Sequence, residues 1–357
     1  MIDLDDIRPG DLERCDPAGM HEVIAGLPKQ CIRAMAITEQ SPARVPPRAY
    51  RAVVVCGMGG SAIAGDLLAS YLMDKLAAPV VVSRDYGLPA WVAAGDLVIA
   101  SSYSGDTEET LSGFDQALAR GAAIVGVCSG GQLRQRCAER GLPCLEIPGG
   151  LPPRGALGYS LFGILGTLLA SQAIPDCRAD IMEAVKLLEA LAAEYGPAAP
   201  AAANRAKSLA QQLHNGMPVI YAAAHPLAAV ARRWSNQINE NSKMLSYWAL
   251  MPELCHNEIV GWEKLPDVRR QARVVFLQDE ADHQRNILRM RIVKELLEPN
   301  CPVLLTVNSR GGTLLARILS LSYLGDWVSL YLGYLGGADP TPVARITELK
   351  ARLQEAR

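Results

Sequence analysis

Hydrophobic positions along the chain follow two periods in alternation. Between residues 50 and 150, short apolar runs rich in Val, Ile and Leu occupy 52–56, 79–83, 97–101, 122–128 and 142–147. Unbroken runs of this length predict strands buried on both faces. Between them apolar residues recur at three- and four-residue steps: Ala62, Ile63, Leu67, Leu68 and Tyr71, then Leu111, Phe114 and Leu118, then a helix reaching Arg140. That spacing predicts amphipathic helices. An earlier helix is predicted over 20–37, with Ile24, Leu27, Ile32 and Met35 near one face, ended by Pro42, Pro46 and Pro47. Strands alternating with helices predict a parallel sheet covered on both faces.

The pattern returns more weakly after residue 204. Strands are predicted at 218–221, 273–277 and 302–307, and helices at 225–243 and 284–297. The chain therefore reads as α/β, with two doubly wound parallel sheets flanked by helices. A further helix is predicted over 178–195, and the low-complexity stretch GPAAPAAA follows it. This places a domain boundary at 196–203, dividing 1–195 from 204–357. Two apolar segments stand outside the alternation, an uncharged one at 156–174 and another at 314–335. The first is nearly long enough to span a membrane. It carries Tyr159, Ser160, Thr167 and Gln172 and has no companion span, so a buried helix is expected. Together the two segments exceed what one domain comfortably hides, which predicts a symmetric dimer.

Candidate chemistry begins where the first strand ends. Gly57-Met58-Gly59-Gly60-Ser61 joins a strand to a helix. A helix N-terminus offers unpaired N–H groups, and glycines let an anion approach the backbone. Ser61 adds a hydroxyl. The turn is neither G-x-G-x-x-G nor a nucleoside-triphosphate loop, so a phosphate held without a nucleotide is the functional reading, and tight strand–helix packing the plain one. A second turn, Ser101-Ser102-Tyr103-Ser104-Gly105-Asp106-Thr107, follows the 97–101 strand. Ser102, Ser104 and Thr107 are either phosphate hydroxyls or turn caps bonded to their own backbone. In parallel sheets ligands bind outside the carboxyl ends of the strands, and both turns lie at that edge. Two hydroxyl-rich turns at one edge favour phosphate recognition.

Composition narrows the class. The chain has 357 residues, a net charge of −2 and no basic patch, so nucleic acid is not an expected partner. The N-terminal segment is acidic and lacks a signal-peptide core. Nine scattered cysteines without a C-x-x-C pair suit reduced thiols in the cytoplasm. The stretch 217–262 is dense in polar groups. Glu240 shares a helical pattern with Trp234 and Ile238, so it is either a partly buried base or a charge on a wet face. His256 has no histidine at metal-ligand spacing, so it is an acid/base group or an ordinary polar residue, and no metal or other cofactor is expected. Arg154, in the stiff connector IPGGLPPRG, reads in isolation as a surface arginine.

The segments GMGGSAIAGD, SSYSGDTEET, NQINENSK, ELCHNEIVGW and DPTPVARITELK together resemble the bifunctional phosphoglucose/phosphomannose isomerases of the SIS (sugar isomerase) superfamily, from about residue 20 onward. The first two are shared across SIS proteins; the last three are more specific to this family. The resemblance implies two SIS-type sheets, a phosphosugar substrate, no cofactor and a homodimer with shared active sites. It implies that Gly59, Gly60, Ser61, Ser102, Ser104 and Thr107 hold the sugar phosphate. Glu240 would move the proton between C1 and C2, and Arg154 would stabilise the enediolate. His256 and Lys350 would open the sugar ring, with His256 entering from the neighbouring subunit. Two other readings compete. A non-catalytic SIS module that senses a phosphosugar is opposed by the Glu240 and His256 motifs and by the lack of a DNA-binding helix-turn-helix. A glucosamine-6-phosphate-forming amidotransferase would need a glutaminase domain for which residues 1–50 are too short.

Overall fold

In the computed structural model, which describes residues 2–355, the valine-rich runs form two parallel sheets. Helices α1 (Pro9–Cys15), α2 (Met20–Ala25) and α3 (Leu27–Gln40) precede the first sheet. Then follow β1 (Val53–Cys56), α4 (Gly59–Leu72), β2 (Val80–Ser83), β3 (Leu97–Ser101), α5 (Glu108–Ala119), β4 (Ala123–Cys128), α6 (Gly131–Glu139) and β5 (Cys144–Glu146). A 3₁₀ turn at Pro153–Gly155 leads into α7 (Leu157–Ala170) and α8 (Arg178–Tyr195). The second sheet is built from α9 (Arg205–Leu213), β6 (Met217–Ala223), α10 (Ala228–Asn241), β7 (Tyr247–Met251), α11 (Glu258–Gly261), α12 (Pro266–Gln271), β8 (Ala272–Gln278), α13 (Gln284–Leu297) and β9 (Val303–Asn308). Helices α14 (Leu314–Leu335) and α15 (Ala344–Glu355) complete the described chain.

The strand orders are β2-β1-β3-β4-β5 and β7-β6-β8-β9. Every pairing is parallel, with Val53 opposite both Val80 and Leu97 in the first sheet, and Val219 opposite Tyr247 and Val274 in the second. Each sheet is doubly wound: the chain leaves its first strand to one side, then crosses to the other. Two elements differ from the periodic reading. The 20–37 helix is two helices that meet at Gly26, because Pro28 near the start of α3 has no N–H to continue the preceding ladder. Strand β7 is an unpredicted edge strand; its apolar run lies within the polar 217–262 stretch, which hides it.

The two long apolar helices correct the argument for a dimer drawn from them. Helix α7 is buried along nearly its whole length against α3 and α4. Helix α14 is buried from Leu315 to Tyr334, against α8, α9 and α10. Each fully buried Leu, Ile or Val contributes about 1.5–3 kcal/mol, so these helices are the core of the protomer. They leave no large apolar face for a partner. Among the described residues no helix is long and apolar enough to cross a membrane.

Helix α8 ties the second sheet in place. Gly312 and Thr313 donate their backbone N–H groups to the Glu183 carboxylate at 2.5 and 3.1 Å, so the N-terminus of α14 is occupied by a carboxylate of the same chain. The alanine-rich stretch is pinned too. The buried Lys207 donates to the carbonyls of Pro197 and Ala199 at 2.8 and 2.7 Å. We propose, on the strength of the two sheets, that 1–195 and 204–357 act as two units joined there.

Candidate active site

Strands β1 and β3 are neighbours, and the chain departs from β1 in one direction and β3 in the other. Ligands bind at such switch points, outside the carboxyl ends of the strands. Both hydroxyl-bearing turns flank this one. Gly59 and Gly60 form the first turn of α4, and the residue at its N-cap, Met58, makes no side-chain cap, so those N–H groups stay available to an anion. Ser61, 4% exposed, is in the same turn. Gly60 is required by close approach, since a Cβ there would stand 2.5 Å from the Pro153 carbonyl oxygen. The turn that carries Arg154 therefore rests directly on this turn of α4.

The 102–107 turn is held by its own hydroxyls. Ser102 Oγ accepts from the Gly105 N–H at 3.1 Å and donates to Thr107 Oγ1 at 2.9 Å. Ser104 is exposed, and its Oγ accepts from Asp106 N–H at 3.3 Å. Gly105 has φ +81°, and a Cβ there would collide with the Gly130 carbonyl at 1.9 Å. The capping role thus exists, and it fixes the turn's hydroxyls at the sheet edge beside the start of α5.

Arg154 is not a surface residue. It is 4% exposed, and its guanidinium is locked on three sides. Nε donates to Asn241 Oδ1 at 2.6 Å, and Nη2 donates to the carbonyls of Pro340 and Thr341 at 2.6 and 2.9 Å. Nη1 lies 3.6 Å from Glu240 Oε2. A rigid donor fork held by neutral acceptors keeps its charge directed at one remaining side. Burial pushes this guanidinium down from its ordinary value, while Glu240 and Asp339 push it back up. A further layer holds the backbone. Arg233 donates to the Arg154 carbonyl at 3.2 Å and pairs with the buried Asp326 at 2.7 Å, and Gln237 donates to the other Asp326 oxygen at 2.9 Å.

Glu240 sits in the last turn of α10, its side chain 30% exposed. Strands β6 and β7 are parallel, so α10 must return the chain from the carboxyl edge of the second sheet to the amino edge. Glu240 therefore lies at the amino edge, where it meets Arg154. His256 ends the 3₁₀ turn after β7 and so lies at the opposite, carboxyl edge. The seven residues of β6 separate the two edges by about 20 Å at ~3.3 Å per residue. Within one chain Glu240 and His256 are not brought together. His256 is exposed, and its segment is fixed by Glu258, which accepts from the hydroxyls of Tyr221 and Tyr247. Lys350 is exposed on α15, a helix with no buried residue.

Asn241, Lys243 and the 339–341 connector, which lie in the NQINENSK and DPTPVARITELK segments but were given no role from the sequence, form with Glu240 the surroundings of Arg154. Asn241 is fully buried, and it donates to Ser329 Oγ at 2.9 Å while accepting from Arg154. Its signal was an amide at the end of an otherwise amphipathic helix. The connector opens the DPTPVARITELK segment, but its contact with Arg154 was not legible, because it is made through backbone carbonyls. Thr341 Oγ1 is buried there without a partner. Among the described residues no three His, Cys, Asp or Glu side chains converge as a metal site would require. The chemistry these residues offer is that of a carboxylate beside a guanidinium, next to a helix N-terminus.

Residues 49–137 match the SIS domain, and residues 202–353 match the bacterial phospho-glucose isomerase C-terminal SIS domain. The fold and its sheet-edge turns thus define a protein of paired SIS domains. A solved structure of a glucose-6-phosphate isomerase like protein from Thermus thermophilus shares this fold, with a TM-score of 0.63 at 22% identity over 95% of this chain and 98% of that one. The bifunctional phosphoglucose/phosphomannose isomerase of Caldicellulosiruptor bescii is 43% identical over 94% of this chain and 99% of its own length. That of Aquifex aeolicus is 37% identical over 86% of this chain and 91% of its own. The chain belongs to the bifunctional phosphoglucose/phosphomannose isomerase family.

Proposed function

We propose that this protein interconverts fructose 6-phosphate with glucose 6-phosphate and mannose 6-phosphate by a metal-independent proton transfer through a cis-enediol. Its family makes it a sugar-phosphate isomerase. The observation that carries the mechanism is the Glu240 carboxylate, 3.6 Å from an Arg154 guanidinium whose other donors are already spent. Glu240 takes the C2 proton of the open-chain aldose and returns it to C1, while the hydroxyl proton passes from O2 to O1. Arg154 faces the oxygen charge that develops between those steps. The turns containing Gly59, Gly60, Ser61, Ser102, Ser104 and Thr107 hold the phosphate and so position the reacting carbons.

His256 and Lys350 act in ring opening. The separation of Glu240 from His256 across the second sheet supports a homodimer in which a neighbouring chain supplies the histidine. Ile346, Leu349 and Lys350 lie on α15, which begins three residues after Thr341 and would be covered by such a partner.

Purified protein given fructose 6-phosphate in a coupled assay should yield both aldoses; an inert protein that binds the sugar phosphate would instead be a sensing module. Activity should survive exhaustive chelation, and loss restored by zinc would exclude the proton-transfer scheme. Ser61→Ala or Thr107→Ala should mainly raise KM, because a phosphate contact is made equally in the ground and transition states. A fall in kcat at unchanged KM would remove these residues from the phosphate site.

A further inference from the structure

Arg154 is not the only cation at the 339–341 connector. Lys243 lies two residues beyond α10 with φ +57°, a left-handed conformation that disfavours non-glycine residues. That conformation brings its ammonium back toward the helix end. Nζ donates to the Glu240 carbonyl at 2.5 Å and to the Pro340 carbonyl at 2.9 Å. The Pro340 oxygen is also the acceptor of Arg154 Nη2 at 2.6 Å. Two cations therefore share one carbonyl oxygen, immediately beside the candidate base. Like charges so placed repel, and burial together with Arg154 pushes the Lys243 ammonium down from its ordinary value, with Asp339 and Glu240 opposing. A second positive charge is tolerated there because the carboxylates of Glu240 and Asp339 face it. It is useful there if negative charge forms in the cleft during reaction.

From this arrangement, and resting on the isomerase mechanism proposed above, we infer that Lys243 is a positioning residue: it clamps the end of α10 to the 339–341 connector, fixing Glu240 against Arg154 and adding positive charge beside the base. The clamp has two consequences. The connector that receives Arg154 is held from both sides, so the guanidinium keeps its direction. The groups facing Glu240 are then Arg154 from the 153–155 turn, Lys243 from the end of α10 and Asp339 from the connector. Removing the Lys243 ammonium frees the end of α10 from the connector and takes one positive charge from beside the base.

The test compares Lys243→Met and Lys243→Arg with the wild type. In Lys243→Met, kcat should fall about 10- to 100-fold with KM changed less than about threefold, as expected when an interaction serves the transition state. Lys243→Arg keeps the charge and a donor for the Pro340 carbonyl, and should hold kcat within about threefold of the wild type. A merely destabilised protein would lose activity together with Tm, so a kcat lost at unchanged Tm and regained in Lys243→Arg separates positioning from folding. A second measurement is independent of turnover: the Glu240 carboxylate is followed by ¹³C NMR at one pH in labelled protein, assigned with Glu240→Gln. If its resonance is the same in wild type and Lys243→Met, the inference is overturned. A wild type inactive on fructose 6-phosphate would sink the isomerase reading instead, and the NMR comparison would still decide the role of Lys243.

Discussion

Replacing Glu240 with Gln lowers kcat for fructose 6-phosphate isomerisation at least about 10²-fold, with little change in KM. Gln keeps the size and much of the hydrogen bonding, so the 3.6 Å approach to Arg154 survives as a neutral contact while the proton acceptor is lost. In the proposed mechanism the phosphate is held by the turns at the carboxyl edge of the first sheet, so its contacts do not depend on the charge of residue 240. Steady-state kinetics with both aldoses as readouts gives the answer. Two other carboxylates of the polar 217–262 stretch are worse placed to act as the base. Both oxygens of Glu258 accept tyrosine hydroxyls, and Glu253 accepts from Asn257 Nδ2 at 2.8 Å. A Glu240→Gln variant with near-normal kcat would nevertheless transfer the role to one of them.

Mixing inactive Glu240→Ala protein with inactive His256→Ala protein, after joint unfolding and refolding, restores roughly a quarter of wild-type activity if a two-fold dimer shares its sites. Random pairing makes half the dimers mixed. Each mixed dimer has one doubly damaged site and one intact site. The expectation follows from topology: α10 carries Glu240 to the amino edge of the second sheet, while β7 delivers His256 to the carboxyl edge. If both residues served one site within a chain, no mixed dimer would contain an intact site. Activity would then stay at the average of the two variants, and the shared site would be ruled out while the isomerase assignment stood.

Much of the fold was legible in the sequence because buried parallel strands and their covering helices have distinct hydrophobic periods. Strand β3 and helix α8 fall on the predicted residues. Strand β7 did not, because its apolar run lies within the polar 217–262 stretch, whereas the other edge strands, β2, β5 and β9, overlap predicted runs. The two glycine- and hydroxyl-bearing turns at the sheet edge were legible as well, since such residues between a strand and a helix are a local signal with a local cause.

What the sequence determined by itself was everything set by neighbours along the chain: the alternation of strands and helices, the turns at the first sheet edge, and the family motifs containing Glu240 and His256. What only the tertiary structure decided was everything set by neighbours in space. Arg154 read alone is a surface arginine, yet Asn241, Pro340 and Thr341 bury it, from 87, 186 and 187 residues away. The apolar helices suggested a partner, yet the protomer covers them itself. Lys243 looked like one polar residue among many until its ammonium was found on the carbonyl that Arg154 also holds. The physical reason is common to all three. Burial and charge pairing depend on which distant segments the fold brings together, and hydrophobic period records only which face of an element is covered, not by what.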